Sequence, residues 1–231
     1  MKQIIALIVF SIFLLQLFCG SGLALTIGDE QAKVKTVGAG TDNNTDLVSC
    51  NEVTISRTNR PISWAQPLKV EGVHNLHKIS DGLYRSAQPT SKGMDNLKAM
   101  GIKTVINLRT LHSDRDEIGT NAVHREEIPM TAWHPQQEEA VQFLKIATDP
   151  SRLPVLFHCH YGSDRTGTMC AVYRIAVQGW TKEAAILEMK QGGYGFHEVW
   201  ANLPKWVMNL DIEKLMKEAG IETNQTGRLI P

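Results

Sequence analysis

The sequence predicts a single α/β domain with a central, partly parallel sheet flanked by helices. Three observations predict it. Short apolar runs of strand type fall at residues 76–79, 83–86, 103–108, 123–128 and 154–158. Segments with helical spacing lie between and after them. The two kinds alternate along the chain, which is the pattern of strands joined by crossover helices.

Each element has a local reason. Residues 76–79 and 83–86 flank the turn Ser80-Asp81-Gly82 and read as two short strands. Thr90 can cap a helix through Met100, with Gly101 as its stop. The run 103–108 (KTVINL) is a strand of high β propensity, and 123–128 is a weaker one. In 136–148, Ala140, Val141, Phe143, Leu144 and Ile146 recur at helical spacing. Residues 154–158 (PVLFH) form a short apolar run of buried-strand type, followed by a largely apolar helix over 166–178. Thr181 caps a further helix stopped at Gly192-Gly193, and two more helical stretches are expected over 197–210 and 211–219.

The chain has 231 residues, 42% of them hydrophobic, enough for one domain with a core and some additional chain. Basic and acidic residues balance at 24 each, so there is no net field to hold nucleic acid or an anionic membrane. Anion binding must come from a local site. The first residues carry a leader pattern: Lys2, an apolar run over 4–18 broken only by Ser11 and Gln16, then the small residues Gly20 to Gly22 and Ala24. The run is short for a membrane span, and the expected outcome is cleavage after Ala24 with export to a periplasm or outside the cell, and no stable membrane anchor. Residues 25–63 read as a flexible polar linker, 64–222 as the folded domain and 223–231 as a tail. Of the four cysteines, Cys19 falls in the leader, which leaves Cys50, Cys159 and Cys170. An odd number in an oxidising compartment is not a disulfide scaffold, and it leaves room for a working thiol.

The chemistry concentrates where the strand 154–158 runs into Cys159-His160-Tyr161-Gly162-Ser163-Asp164-Arg165-Thr166-Gly167 and then into a helix. A loop between a strand end and a helix start turns backbone N–H groups inward, and the helix N-terminus adds positive potential. His160, Tyr161, Gly162, Ser163, Asp164 and Arg165 are the candidate phosphate-binding residues. Gly162 permits a tight turn, and the planar fork of Arg165 matches two oxygens of a phosphoryl group. Cys159 opens the same loop, facing the trapped phosphorus, as nucleophilic catalysis through a phosphocysteine requires.

The run His158-Cys159-x5-Arg165-Thr166-Gly167 resembles the active-site signature of the cysteine-dependent protein tyrosine phosphatase superfamily. The wider segment, from residues 76–89 (LHKISDGLYRSAQP) to 173–180 (YRIAVQGW), resembles exported bacterial members of its dual-specificity branch and the plant and fungal atypical dual-specificity phosphatases. The resemblance implies a dual-specificity phosphatase-like fold and a reaction without metal or other cofactor. It implies Cys159 as nucleophile and Arg165 as the clamp on phosphoryl oxygens. Thr166 is implied as a hydrogen-bond donor to the departing thiolate, and His158 as a residue that orders the loop and favours thiolate.

In one respect the chain departs from that pattern. These enzymes take a general-acid aspartate from an upstream loop, and here no Asp occurs between Glu117 and Ala147. Asp164, directly before Arg165, is the first candidate to protonate the leaving oxygen, since loops of the form C-x4-Asp-Arg-Thr resemble those of myotubularin and Sac-type phosphoinositide phosphatases. His134 is the second, and Asp114, Asp116 and Glu126 follow. Trp133, Arg85 and Arg109 can reach the site or serve the core and surface, and Cys170, inside the following helix, reads as core.

Phosphomonoester hydrolysis is therefore the expected function, on a phosphorylated protein or a small phosphomonoester. The loop lacks lysine, which favours a protein phosphate over a highly charged inositol polyphosphate. Two other classes use parts of this pattern. A rhodanese-like sulfurtransferase usually spaces its Cys and Arg one residue closer. A non-catalytic phosphate-binding module would explain the missing upstream Asp but not the full set Cys159, Arg165 and Thr166.

Overall fold

The computed structural model describes residues 60–120 and 123–222. The expected leader with its cleavage after Ala24, most of the linker including Cys50, and the C-terminal tail lie outside the described residues. A six-stranded mixed sheet runs in the order β1-β2-β3-β6-β4-β5. The strands are β1 (Gln66–Pro67), β2 (His77–Ser80), β3 (Leu83–Ser86), β4 (Thr104–Asn107), β5 (His124–Glu127) and β6 (Val155–His158). The first three pair antiparallel, and β3, β6, β4 and β5 run parallel. The edge strand β1 is an addition to the sequence expectation, which found no signal in a two-residue segment ending in proline.

Helices cover both faces, as a largely parallel sheet requires. Alternation along β4 and β6 divides the core. Val105 and Leu156 face α1 (Ser91–Ala99) and α2 (Arg115–Ile118), with Met94, Leu97 and Ile118. Ile106, Val155 and Phe157 face the other helices. These are α3 (Gln137–Ala147), α4 (Asp164–Ala176), α5 (Lys182–Gln191), α6 (Asn202–Asn209) and α7 (Ile212–Ala219). Phe143 of α3 meets Phe157 of β6 edge to face, with ring centres 4.8 Å apart. Thr90 and Thr181 cap α1 and α5 with their side chains, as their positions predict.

Three details differ from the sequence expectation. The short α2 had no periodic signal. Helix α4 begins two residues early, so Asp164 and Arg165 belong to its first turn. The stretch 197–210 is not one helix but a 3-10 turn (Glu198–Trp200) followed by α6. Pro204 lies in the first turn of α6, where its missing N–H costs no intrahelical bond, so the helix starts anew there.

A buried polar network ties the flanking segments to α4. Glu188 accepts from Arg174 Nε and Nη2 at 2.7 and 2.8 Å, from the Ala65 amide at 2.7 Å and from the Tyr194 hydroxyl at 2.8 Å. Beside it His77, on β2, meets Tyr194 edge to face at 4.8 Å. Burial, helped by the charges of Arg85 and Arg60, pushes the His77 imidazole down to about 4 against the opposing Asn75 carbonyl and Glu188. The unfolded chain, with an ordinary histidine near ~6.5, therefore binds the extra proton between those two values. Stability rises with pH across that window and is lost as pH falls through it. Urea unfolding should show about 3 kcal/mol less stability at pH 4 than at pH 7 from this residue, and His77→Phe should flatten that slope.

Candidate active site

The parallel strands β3, β6 and β4 end side by side at Ser86, His158 and Asn107. In open α/β sheets, crevices outside such carboxyl ends are where ligands bind. Residues 159–163 leave β6 there and enter α4 at Asp164. The loop is pressed against the end of β3. Gly162 has φ +71°, and a Cβ on it would lie 2.5 Å from Ala87 N and Ser86 C, so the position admits only glycine. Arg85, fully buried on β3, donates from Nη2 to the Gly162 carbonyl at 2.7 Å and stacks 3.6 Å from the Tyr194 ring centre. Gln88 N donates to the His160 carbonyl at 3.2 Å, and Ser163 Oγ to the Tyr194 carbonyl at 2.7 Å. The loop is thus fixed by the strand beneath it and by the segment after α5.

Cys159 begins this loop with 2% of its surface exposed. Arg165 is half-buried, and its Nη1 reaches the Leu108 and Met130 carbonyls only at 3.4 and 3.5 Å, long contacts that leave the guanidinium uncommitted. The Thr166 hydroxyl is buried without a hydrogen-bond partner among the described residues. Together with the N-terminus of the 13-residue α4, this gives one concave, positively polarised site. An open cavity of about 430 Å³ lies over it, lined by Arg109, His160, Tyr161, Asp164, Arg165, His197 and Trp200 among others. Tyr161 is exposed at the rim and packs edge to face with His160 at 4.3 Å.

Behind the loop sits a buried acid–imidazole pair. His158 Nε2 and Asp114 Oδ2 are 2.7 Å apart, both side chains fully buried, and the other ring nitrogen lies 3.3 Å from the Cys159 carbonyl. Asp114 Oδ1 accepts from Gln88 at 2.8 Å and from Asn107 at 3.3 Å. Burial would raise the Asp114 carboxyl, but the hydrogen bond and charge of His158, with Gln88 and His112, outweigh it and hold the carboxyl below its ordinary value. Asp114 thus orders the ring behind Cys159 and does not line the cavity.

The proton-donor candidates separate clearly. Asp164 lines the cavity beside Arg165. Its Oδ1 accepts from the His197 backbone N at 2.8 Å, and its Oδ2 lies 2.9 Å from His197 Nδ1. His134 is exposed and does not line the cavity, because its loop turns back on itself through Thr131 Oγ1 and the Gln136 amide. Glu126 pairs with Arg152 at 2.6 Å on β5, and Asp116 is exposed on α2. Trp133 is 69% exposed and stands outside the cavity. Arg109 lines it and is steadied by Gln88 Oε1 at 2.9 Å. Cys170 is buried in α4, and burial pushes its thiol up despite the nearby Arg85. His197 and Trp200 are site residues that the sequence showed only as part of a helical stretch. The one available signal was the run Gly192-Gly193-Tyr194-Gly195-Phe196-His197, whose glycines allow close backbone approach.

His112, Asp114 and Glu117 bring ligand-type atoms within 4.8 Å of one another. Both Asp114 oxygens already serve protein partners, so this cluster extends the His158 network.

Comparison with known proteins identifies the family of this fold. The family model described as DSP-PTPase phosphatase fused to NAD+ kinase matches residues 64–197. The chain belongs to the cysteine-based protein tyrosine phosphatase superfamily, in its dual-specificity-like branch, and it is a cysteine-based phosphatase. Among its relatives is the dual specificity protein phosphatase TpbA of Pseudomonas aeruginosa strain UCBPP-PA14, 35% identical over 157 residues, which span 68% of this chain and 71% of TpbA. The crystal structure of P. aeruginosa TpbA in complex with pTyr shares 33% identity at a TM-score of 0.62, covering 70% of this chain and 98% of that one. A more distant relative is the inositol diphosphatase DSP3 of Arabidopsis thaliana, 26% identical over 127 residues, 51% of this chain and 61% of DSP3.

The Asp114–His158 pair gives a testable consequence. A depressed carboxyl stabilises the fold fully above its unfolded value near ~3.9, and that contribution is lost as pH falls through the lower folded value. Asp114→Asn should cost about 3 kcal/mol in urea unfolding at pH 7, as loss of one member of a buried pair does. The gap to the unaltered protein should begin to narrow as pH falls below about 3.9 and close only below the lower folded value. A gap that stays constant from pH 7 to pH 3 would contradict an ionised Asp114.

Proposed function

We propose that this phosphatase hydrolyses phosphotyrosine-type protein monoesters through a phosphocysteine on Cys159. The observation that carries the reading is the composition of the cavity. Its lining offers two cations, Arg109 and Arg165, with aromatic rings at Tyr161 and Trp200. Such a lining suits a single phosphate on an aromatic ring better than a ring carrying many phosphates. The complex of TpbA with pTyr supports the same substrate class.

In this reading the phosphate dianion enters the loop 159–165, where backbone N–H groups, the α4 N-terminus and the Arg165 fork take its oxygens. The Cys159 thiolate attacks phosphorus in line with the leaving oxygen. The S–P bond forms, the P–O bond breaks, and the leaving oxygen takes a proton from the Asp164–His197 side of the cavity. Water then attacks the phosphocysteine and the thiolate leaves, accepting a hydrogen bond from the unpartnered Thr166 hydroxyl. His160, Tyr161, Gly162 and Ser163 form the wall, with Gly162 setting its curvature. No step calls for a metal or cofactor. The leader-like residues 1–24 support an exported enzyme, periplasmic or outside the cell.

The test compares kcat/KM on a phosphotyrosine peptide with that on inositol hexakisphosphate and an inositol pyrophosphate. At least about tenfold preference for the peptide is expected, the worth of roughly one charge-assisted contact. A preference for the inositol phosphates would replace this substrate class with the one that DSP3 is named for.

A further inference from the structure

We propose that His197 is the proton donor of this enzyme, delivering from Nε2, and that Asp164 is the carboxylate that orients it. The inference rests on the phosphocysteine reading above and assigns the one role which that reading leaves to a pair.

The geometry begins with the segment after α5. Gly195, with φ +80°, lets the chain run close along the loop, and a Cβ there would lie 3.3 Å from Ser163 Oγ. Ser163 Oγ and Asn75 Nδ2 both donate to the Tyr194 carbonyl, at 2.7 and 2.9 Å. Three residues beyond Tyr194, the His197 amide donates to Asp164. The segment is therefore stitched to the catalytic loop on both sides of Gly195, and His197 is held at the cavity.

Within the pair the two side chains are not equivalent. The Asp164 side chain is 10% exposed and that of His197 49%. Each Asp164 oxygen already has a partner on residue 197. On the ring, Nδ1 faces Asp164, which leaves Nε2 without a hydrogen-bond partner among the described residues. A carboxylate on one nitrogen fixes the ring's tautomer and orientation and presents the other N–H outward. Tyr161 flanks the ring, with centres 5.7 Å apart. An upstream loop aspartate is absent from this chain, and the imidazole fills that chemical place from the opposite side of the sequence.

The step balances. As Cys159 forms the S–P bond and the P–O bond breaks, the Nε2 proton passes to the leaving oxygen, and imidazolium becomes neutral imidazole whose Nδ1–H still donates to the Asp164 carboxylate. When water attacks the phosphocysteine, Nε2 takes a proton from that water. The S–P bond breaks, thiolate and phosphate leave, and imidazolium is restored.

The experiment measures kcat/KM of the protein and of His197→Asn, His197→Ala, Asp164→Asn and Cys159→Ser on p-nitrophenyl phosphate, phenyl phosphate and a phosphotyrosine peptide. The Asn side chain at 197 can keep the hydrogen bond to Asp164 but carries no titratable proton, so His197→Asn separates proton delivery from positioning. His197→Asn should lose about 100-fold on phenyl phosphate and the peptide, and clearly less on p-nitrophenyl phosphate, whose leaving group needs little protonation. Added imidazole should restore part of the phenyl phosphate activity of His197→Ala. Equal losses of His197→Asn on all substrates would overturn the proposal. So would a normal His197→Asn beside an Asp164→Asn that fails only on poor leaving groups, which would make Asp164 itself the acid. Activity surviving in Cys159→Ser would instead reject the phosphocysteine reading, a separate result from either.

Discussion

The turn at Gly162 is the constraint on which the site depends. It is wedged against the backbone of Ser86 and Ala87 so closely that no side chain fits, and its left-handed φ closes the loop into a cradle. The buried guanidinium of Arg85 holds that turn from below through the Gly162 carbonyl. Because β3 lies beside β6 in parallel register, the same strand end that supplies Arg85 also supplies the floor. Cys159, at one end of the cradle, and Arg165, at the other, take their places as a consequence. Catalysis in such a site depends on fixed dipoles that need no rearrangement as charge develops.

Two buried polar systems stiffen the surroundings in different directions. The Asp114–His158 pair braces the strand end behind Cys159, with Gln88 and Asn107 completing the carboxylate's partners. The Arg174–Glu188 pair binds α4 to α5 and reaches Ala65 and Tyr194. Tyr194 in turn covers Arg85 and carries the segment that ends in His197. In the two pairs each charge is costly to bury alone and acceptable because its partner is in place. Burial also keeps the Tyr194 hydroxyl protonated, since it is pushed well above its ordinary value. The second side of the active site is therefore built by packing between helices and not by the signature loop.

How much of this is legible in the sequence follows from how local each signal is. The strand, loop and helix at 154–176 are contiguous, so period, glycine and cap residues show the cradle directly. The α/β class was equally plain from alternating runs. Helix α2 is too short to carry a period, and β1 too short to carry a propensity. The role of Arg85 needs the parallel pairing of β3 with β6, which lies in no local pattern. His197 is 32 residues beyond Arg165 in the chain and arrives at the cavity only through hydrogen bonds to Ser163 and Asp164 by its own segment. His134 looked plausible because it stands in the loop where an acid is expected, yet that loop turns it to solvent.

The central claim is that Cys159 carries the phosphoryl group in the course of each turnover. The most direct measurement is rapid acid quenching during turnover of a phosphotyrosine peptide, followed by mass spectrometry of the peptide containing residue 159. A phosphoryl adduct on Cys159 that forms within one turnover, decays when substrate runs out and is missing in Cys159→Ser is the predicted result. Phosphate release without any adduct on that peptide, together with an active Cys159→Ser, would contradict the account.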